Sequence, residues 1–144
     1  MLTFSHKASL AIKFNQCKTK ECFEDSLDAI AYKGGGTNIP NALNTAFQEM
    51  FTNGFNMRSN TKKFVVLLTD GYDIPSKDKT EYMEIAEKYE ANGIKIIVVG
   101  IGNVQEEKLV LLSGEKDYFH PENFDELNEY FVELVARDIC EGMF

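Results

Sequence analysis

Two apolar runs constrain the fold more than any other feature of the chain. FVVLLT at 64–69 and IKIIVVGIG at 94–102 are continuous and β-branched, and each stops at a turn signal. Runs of this kind suit parallel strands covered on both faces, whereas a strand with one wet side alternates apolar and polar residues. Between them, Tyr82, Ile85, Ala86 and Tyr89 keep helical spacing until Asn92-Gly93 supplies a stop. A strand, a helix and a second buried strand predict a parallel sheet with helices on its faces.

The flanking segments fit that scheme. Leu2, Phe4, Leu10, Ile12 and Phe14 share a period of two across 1–6 and 8–14, which predicts a hairpin with Ser9 at the turn. Phe23, Leu27, Ile30 and Ala31 predict an amphipathic helix that ends at Lys33, with Gly34 as the stop. Ile39, Ala42, Leu43, Ala46, Phe47, Met50 and Phe51 predict a second helix, capped by Thr37 or Asn38 and tolerating Pro40 in its first turn. The aromatic series Phe47, Phe51 and Phe55 reads as core. After a short helix at 106–112 and a short strand at 118–120, Asn123 and Glu126 resemble a capping box before the stripe Phe124, Leu127, Phe131, Leu134 and Val135. The expected fold is α/β, a doubly wound and mostly parallel open sheet within a single domain over 1–144.

Charge and composition remove several functions. A net charge of −8, from 15 basic and 23 acidic residues, argues against nucleic acid, which is bound through clustered Lys and Arg. No apolar run approaches the roughly 20 residues of a membrane helix, so no membrane insertion of this segment is expected. The first 14 residues lack the pattern of a signal peptide. Cys17, Cys22 and Cys140 are odd in number. The short loop from Cys17 to Cys22 could close on itself, or all three thiols could stay free in a reducing compartment. Neither His6 nor His120 completes a zinc pattern with them, and both read as surface residues at strand ends.

Two motifs carry candidate chemistry. GGGTN at 34–38 feeds a helix, and Asp70-Gly71 follows the strand 64–69. Ligands of open α/β sheets bind beyond the carboxyl ends of the strands. A hydroxyl at Thr37 and a carboxylate at Asp70 are the oxygen donors a hard cation takes, and Gly35, Gly36 and Gly71 would let backbone come close. The plainer alternative is that Thr37 caps its helix and Asp70 opens a turn. A phosphate cradle is not supported, since GGGTN lacks the lysine and spacing of a P-loop, and GIGNVQ has Gln105 where a dinucleotide fingerprint needs its third glycine. Without a base or a phosphate loop, Asp70 is no enzyme nucleophile.

Taken together, LTFSHKASLAIKF, YKGGGTNIPNALNTAF, KKFVVLLTDGYD, ANGIKIIVVGIGN and YFHPENFDELNEYFVELVARDICE resemble a von Willebrand factor A domain, over nearly the whole chain. In that family the threonine and the aspartate belong to a metal-ion-dependent adhesion site. The resemblance implies that Thr37 ligates Mg2+ or Mn2+ directly, that Asp70 does so directly or through water, and that a protein partner offers an acidic residue to the metal. It implies an extracellular or cell-surface adhesion role without enzymatic activity. The different-class alternative is an intracellular assembly module of the same fold. The family's first strand, with its Asp-x-Ser-x-Ser ligands, has no counterpart in the chain, and neither Asp25-Ser26 nor the segment from Asp73 to Ser76 matches it. The resemblance therefore implies a chain lacking the strand between 1–6 and 64–69, with a weak or absent metal site and with the partner of Cys140 also missing.

Overall fold

The computed structural model describes residues 1–52, 60–72 and 78–141; Phe55 and the segment from Asp73 to Ser76 lie outside them. The chain divides into two compact units, one built on residues 1–60 and the other on 61–72 with 77–144.

In the first unit, β1 (Leu2–Phe4) and β2 (Ala8–Leu10) form an antiparallel ribbon with Leu2 opposite Leu10, Thr3 opposite Ser9 and Phe4 opposite Ala8. The turn therefore lies at residues 5–7, and Ser9, expected at the turn, is a strand residue whose hydroxyl lies 3.4 Å from that of Thr3. α1 (Lys20–Asp28) starts at Thr19, whose hydroxyl accepts from the Cys22 amide. It ends at Asp28, five residues before the expected Lys33, with Ala29 as its cap, and buries no side chain. Helical spacing through Ala31 had no core to bind to, so it could not hold the last turn. α2 (Ile39–Ala46) has the predicted stripe, with Ile39, Ala42, Leu43 and Ala46 all buried, and continues as a π-helical turn over Phe47–Thr52. Phe51 meets Phe14 edge-on, with ring centres 6.5 Å apart.

The second unit carries the parallel sheet, in the order β3 (Lys63–Thr69), β4 (Ile94–Gly100), β5 (Tyr118–Phe119). β3 pairs with β4 over its whole length, from Lys63 opposite Ile94 to Thr69 opposite Gly100. Consecutive residues Ile96 to Gly100 of β4 are buried, so both faces of that strand are covered, as its composition predicts. β3 departs from the expectation. Leu67 is buried, but Val66 and Leu68 are 46% and 50% exposed, because among the described residues β3 has one neighbour in its sheet and one face left open.

The helices of this unit follow their signals closely. α3 (Lys79–Ala91) begins at Asp78, which accepts from the Thr80 amide, and ends at Asn92 with Gly93 at φ +64°. α4 (Glu106–Ser113) packs on α3 and β4. The Asn123 box caps a 3-10 turn over Phe124–Glu126 rather than the long helix, and α5 (Glu129–Glu141) starts later, with Asn128 accepting from the Phe131 amide. α5 is fastened by Phe131 against Phe119 and by Asp138 to Lys95 on β4. Lys95 also meets Asp117, at 2.8 Å.

Candidate functional site

The glycine loop is held from two sides. The Ser5 carbonyl accepts from the Asn38 amide at 2.9 Å, and the His6 Nε2 accepts from the Gly36 amide at 3.0 Å. Gly35, just before these contacts, has φ +133°, and a Cβ added there would come within 2.8 Å of the His6 ring. Residue 35 must therefore be glycine on two counts, backbone angle and space. The turn after β1 thus fixes the loop that enters α2.

Which residue caps that helix decides what Thr37 is free to do. Asn38 is the cap, its side chain accepting from the Asn41 amide at 3.0 Å. Asn41 in turn accepts from the Ala8 amide, which ties the helix start to the hairpin. The hydroxyl of Thr37, half-buried at the end of the glycine loop, is not engaged in capping.

Asp70 follows the last residue of β3 and is exposed at the carboxyl end of the sheet. Behind it, buried Thr69 accepts from the Ile101 amide at 2.8 Å, which anchors the strand end to the chain leaving β4. Two residues on, the Tyr72 hydroxyl donates to Asn103 at 2.6 Å. Gly102, at φ +66°, makes the turn of GIGNVQ and donates to the Pro121 carbonyl. His120 reaches the Gly102 carbonyl at 2.7 Å. Gly71 is half-buried beside Asp70.

Thr37 belongs to the first unit and Asp70 to the second. Their donors, one neutral hydroxyl and one carboxylate, suit Mg2+ or Mn2+ in kind, but they are fewer than the six oxygens Mg2+ takes. Among the described residues, no three His, Cys, Asp or Glu side chains cluster as a metal site. Cys17 and Cys22 are brought together as a disulfide, with Cα atoms 5.4 Å apart, whereas Cys140 is a free, exposed thiol on α5. Sequence reasoning missed His6. Nothing local marks it, since its role depends on the β1 turn meeting a loop 30 residues away.

An open parallel sheet flanked by helices, with a candidate ligand at the carboxyl end of a strand, defines the doubly wound class of α/β binding domains. The von Willebrand factor type A domain matches residues 1–133, and the chain belongs to that family. Among curated relatives, the collagen alpha-1(XII) chain of Notophthalmus viridescens is 32% identical over 131 residues, covering 91% of this chain and 13% of its own length. Matrilin-2 of Mus musculus is 30% identical over 118 residues, covering 78% of this chain and 12% of its own. The chain thus spans about an eighth of these relatives. Proximal thread matrix protein 1 from the mussel byssus, solved with a zinc-occupied MIDAS motif, has the same fold, with a TM-score of 0.82 at 24% identity over 96% of this chain and 34% of that one.

Proposed function

We propose that the chain is one non-enzymatic, cation-dependent protein-binding domain of an extracellular matrix-type protein, with Thr37 and Asp70 as its own ligands to Mg2+ or Mn2+. The observation that carries this reading is that Asn38 caps α2, which leaves the Thr37 hydroxyl at the end of a glycine loop that His6 and Ser5 hold. Asp70, exposed at the carboxyl end of β3, supplies the anionic oxygen. The bound cation would present an electrophilic position to a carboxylate of the partner. Gly35, Gly36 and Gly71 let the backbone approach it.

The matrix relatives support the extracellular setting, as does the Cys17–Cys22 disulfide, which persists in oxidising compartments. The family match over 1–133 spans both compact units, which supports reading them as one domain.

Calorimetric titration with Mg2+ tests the proposal. With two protein ligands the chain should bind weakly, and an Asp-x-Ser-x-Ser strand and helix placed ahead of Met1 should tighten binding strongly. In that extended protein Asp70→Ala and Thr37→Val should each abolish Mg2+ binding and EDTA-sensitive capture of an acidic partner. Equal Mg2+ affinity of the chain and the extended protein would show that the ligands lie elsewhere.

A further inference from the structure

The polar face of the β1–β2 ribbon is not used by the cation reading. Thr3 and Ser9 are paired across the ribbon and share a face. Residues 30–33, which follow α1, line a groove of about 230 Å3 together with the ribbon. Thr3, Ser5, Ser9, Lys7 and Lys33 line it beside the apolar Phe4, Ile30 and Ala31. Lys33, itself exposed, donates to Ser9 at 3.3 Å, which brings its ammonium group to the groove. Tyr32 stands at the rim with 95% of its surface exposed.

Three properties of this groove bear on a ligand. No carboxylate lines it, and neither lysine has a carboxylate partner among the described residues. In a chain of net charge −8, residues 1–52 are neutral, with lysines 7, 13, 18, 20 and 33 against carboxylates 21, 24, 25, 28 and 49. The excess of acidic residues over basic ones therefore lies outside residues 1–52, and the groove itself is lined by two lysines and no carboxylate. A bare tyrosine offers a flat apolar face and a polar tip at little cost in side-chain entropy. Finally, the volume lies below the 300–1,000 Å3 or so of drug-sized pockets, so one ring of a chain-like ligand fits better than a compact cofactor.

We infer that this groove binds an anionic sugar unit of a sulfated oligosaccharide: the ring stacks on Tyr32, its hydroxyls meet Thr3, Ser5 and Ser9, and its sulfate or carboxylate groups meet Lys7 and Lys33. An extended acidic peptide would satisfy the lysines, but it would leave the exposed ring and the hydroxyl cluster without a matching group. Sulfated polysaccharides also share the extracellular setting of the matrix relatives. The site is independent of the cation.

Titration of the chain with a heparin-derived hexasaccharide in EDTA, followed through backbone amide shifts, provides the test. Shifts should concentrate at residues 3–9 and 30–33. Lys7→Ala and Lys33→Ala should each weaken binding about two- to fivefold, as exposed ion pairs do, with added salt weakening it further. Tyr32→Ala should weaken it by a similar factor and Tyr32→Phe should not, while Lys116→Ala in the other unit serves as the control. The residues are exposed or half-buried, and unchanged amide spectra elsewhere would establish that each variant is folded. A fully desulfated hexasaccharide should fail to bind. The inference is overturned if the shifts fall elsewhere, or if the Lys7 and Lys33 substitutions together leave affinity unchanged. It is likewise overturned if sodium sulfate at matched sulfate concentration competes fully, or if a polyglutamate peptide binds as tightly and ignores Tyr32→Ala.

Discussion

Substituting Gly35 with alanine probes how the glycine loop ahead of α2 is held. At φ +133° an alanine carries backbone strain of about 1–3 kcal/mol. Its Cβ would also lie 2.8 Å from His6 Cδ2 and 3.3 Å from Nε2, closer than packed atoms come, so the imidazole must swing away. The swing removes the acceptor of the Gly36 amide, a hydrogen bond with a net contribution of about 1 kcal/mol. Together these give about 2–4 kcal/mol, a large share of the 5–15 kcal/mol or so that holds a domain folded. At about 3 °C per kcal/mol for a chain of this size, the midpoint falls by about 6–12 °C. Urea unfolding followed by circular dichroism measures the loss, and exchange of the Gly36 amide reads the hydrogen bond directly. A double-mutant cycle separates the two causes. In a His6→Ala background the collision is gone, so Gly35→Ala should cost only its backbone strain, and the coupling should be about 1 kcal/mol. Additive losses, or a Gly35→Ala protein within about 0.5 kcal/mol of the parent, would refute the clamp between His6 and the loop.

Removing the small disulfide by Cys17→Ser with Cys22→Ser should lower stability by about 2 kcal/mol in the chain-entropy account, and peptide mapping without reduction should find the 17–22 link in protein from its native source. Lys95 bears on alkaline stability. Burial lowers its pKa, but hydrogen bonds and charge from Asp117 and Asp138 outweigh this and hold it above the usual range. That contribution is complete below the unfolded-state pKa of about 10.4 and is lost as pH rises through the folded value. Lys95→Met should therefore cost about 1–2 kcal/mol at pH 7, between an exposed and a fully buried pair, and the gap to the parent should shrink above pH ~10.4. A gap that stays constant to pH ~11 would exclude the ion pair as its source. Tyr118, held above its usual range by burial and then by the charge of Glu106, should leave alkaline sensitivity in the variant.

What could be read in the sequence depended on how much energy each pattern carried. α2 and β4 bury most of their apolar residues and α3 buries Tyr82, Ile85 and Tyr89 on one face, so their periodicity had one structural solution. The end of α1 was misjudged because Ile30 and Ala31 continue a helical spacing that buries nothing in the helix. Ser9 was placed at a turn by residue type, whereas cross-strand pairing with Thr3 keeps it in the ribbon. The composition of β3 is that of a central strand, and composition cannot report how many neighbours a strand has. At the candidate site, Thr37 and Asp70 were legible as oxygen donors beside glycines. The choice between Thr37 and Asn38 as cap was not, because both residues cap well and the backbone decides. His6 could not be found locally, since its partner is fixed by chain topology.

The open flank of β3 has a consequence for how the protein behaves in concentrated solution. Among the described residues β3 ends its sheet and exposes Val66 and Leu68 on one face, and while that flank is unoccupied it is a template on which a second extended chain can add. FVVLL is uncharged and free of proline, the composition of segments that assemble into intermolecular sheets. Lys62 and Lys63 precede it and Asp70 follows it, so like charges are brought together whenever two copies stack in register. These three side chains act as gatekeepers, so Asp70, proposed above as a cation ligand, also keeps the strand from meeting its own copy. Neutralising that carboxylate, whether by acid or by a tightly held metal, removes one of the charges that keep the domain dispersed.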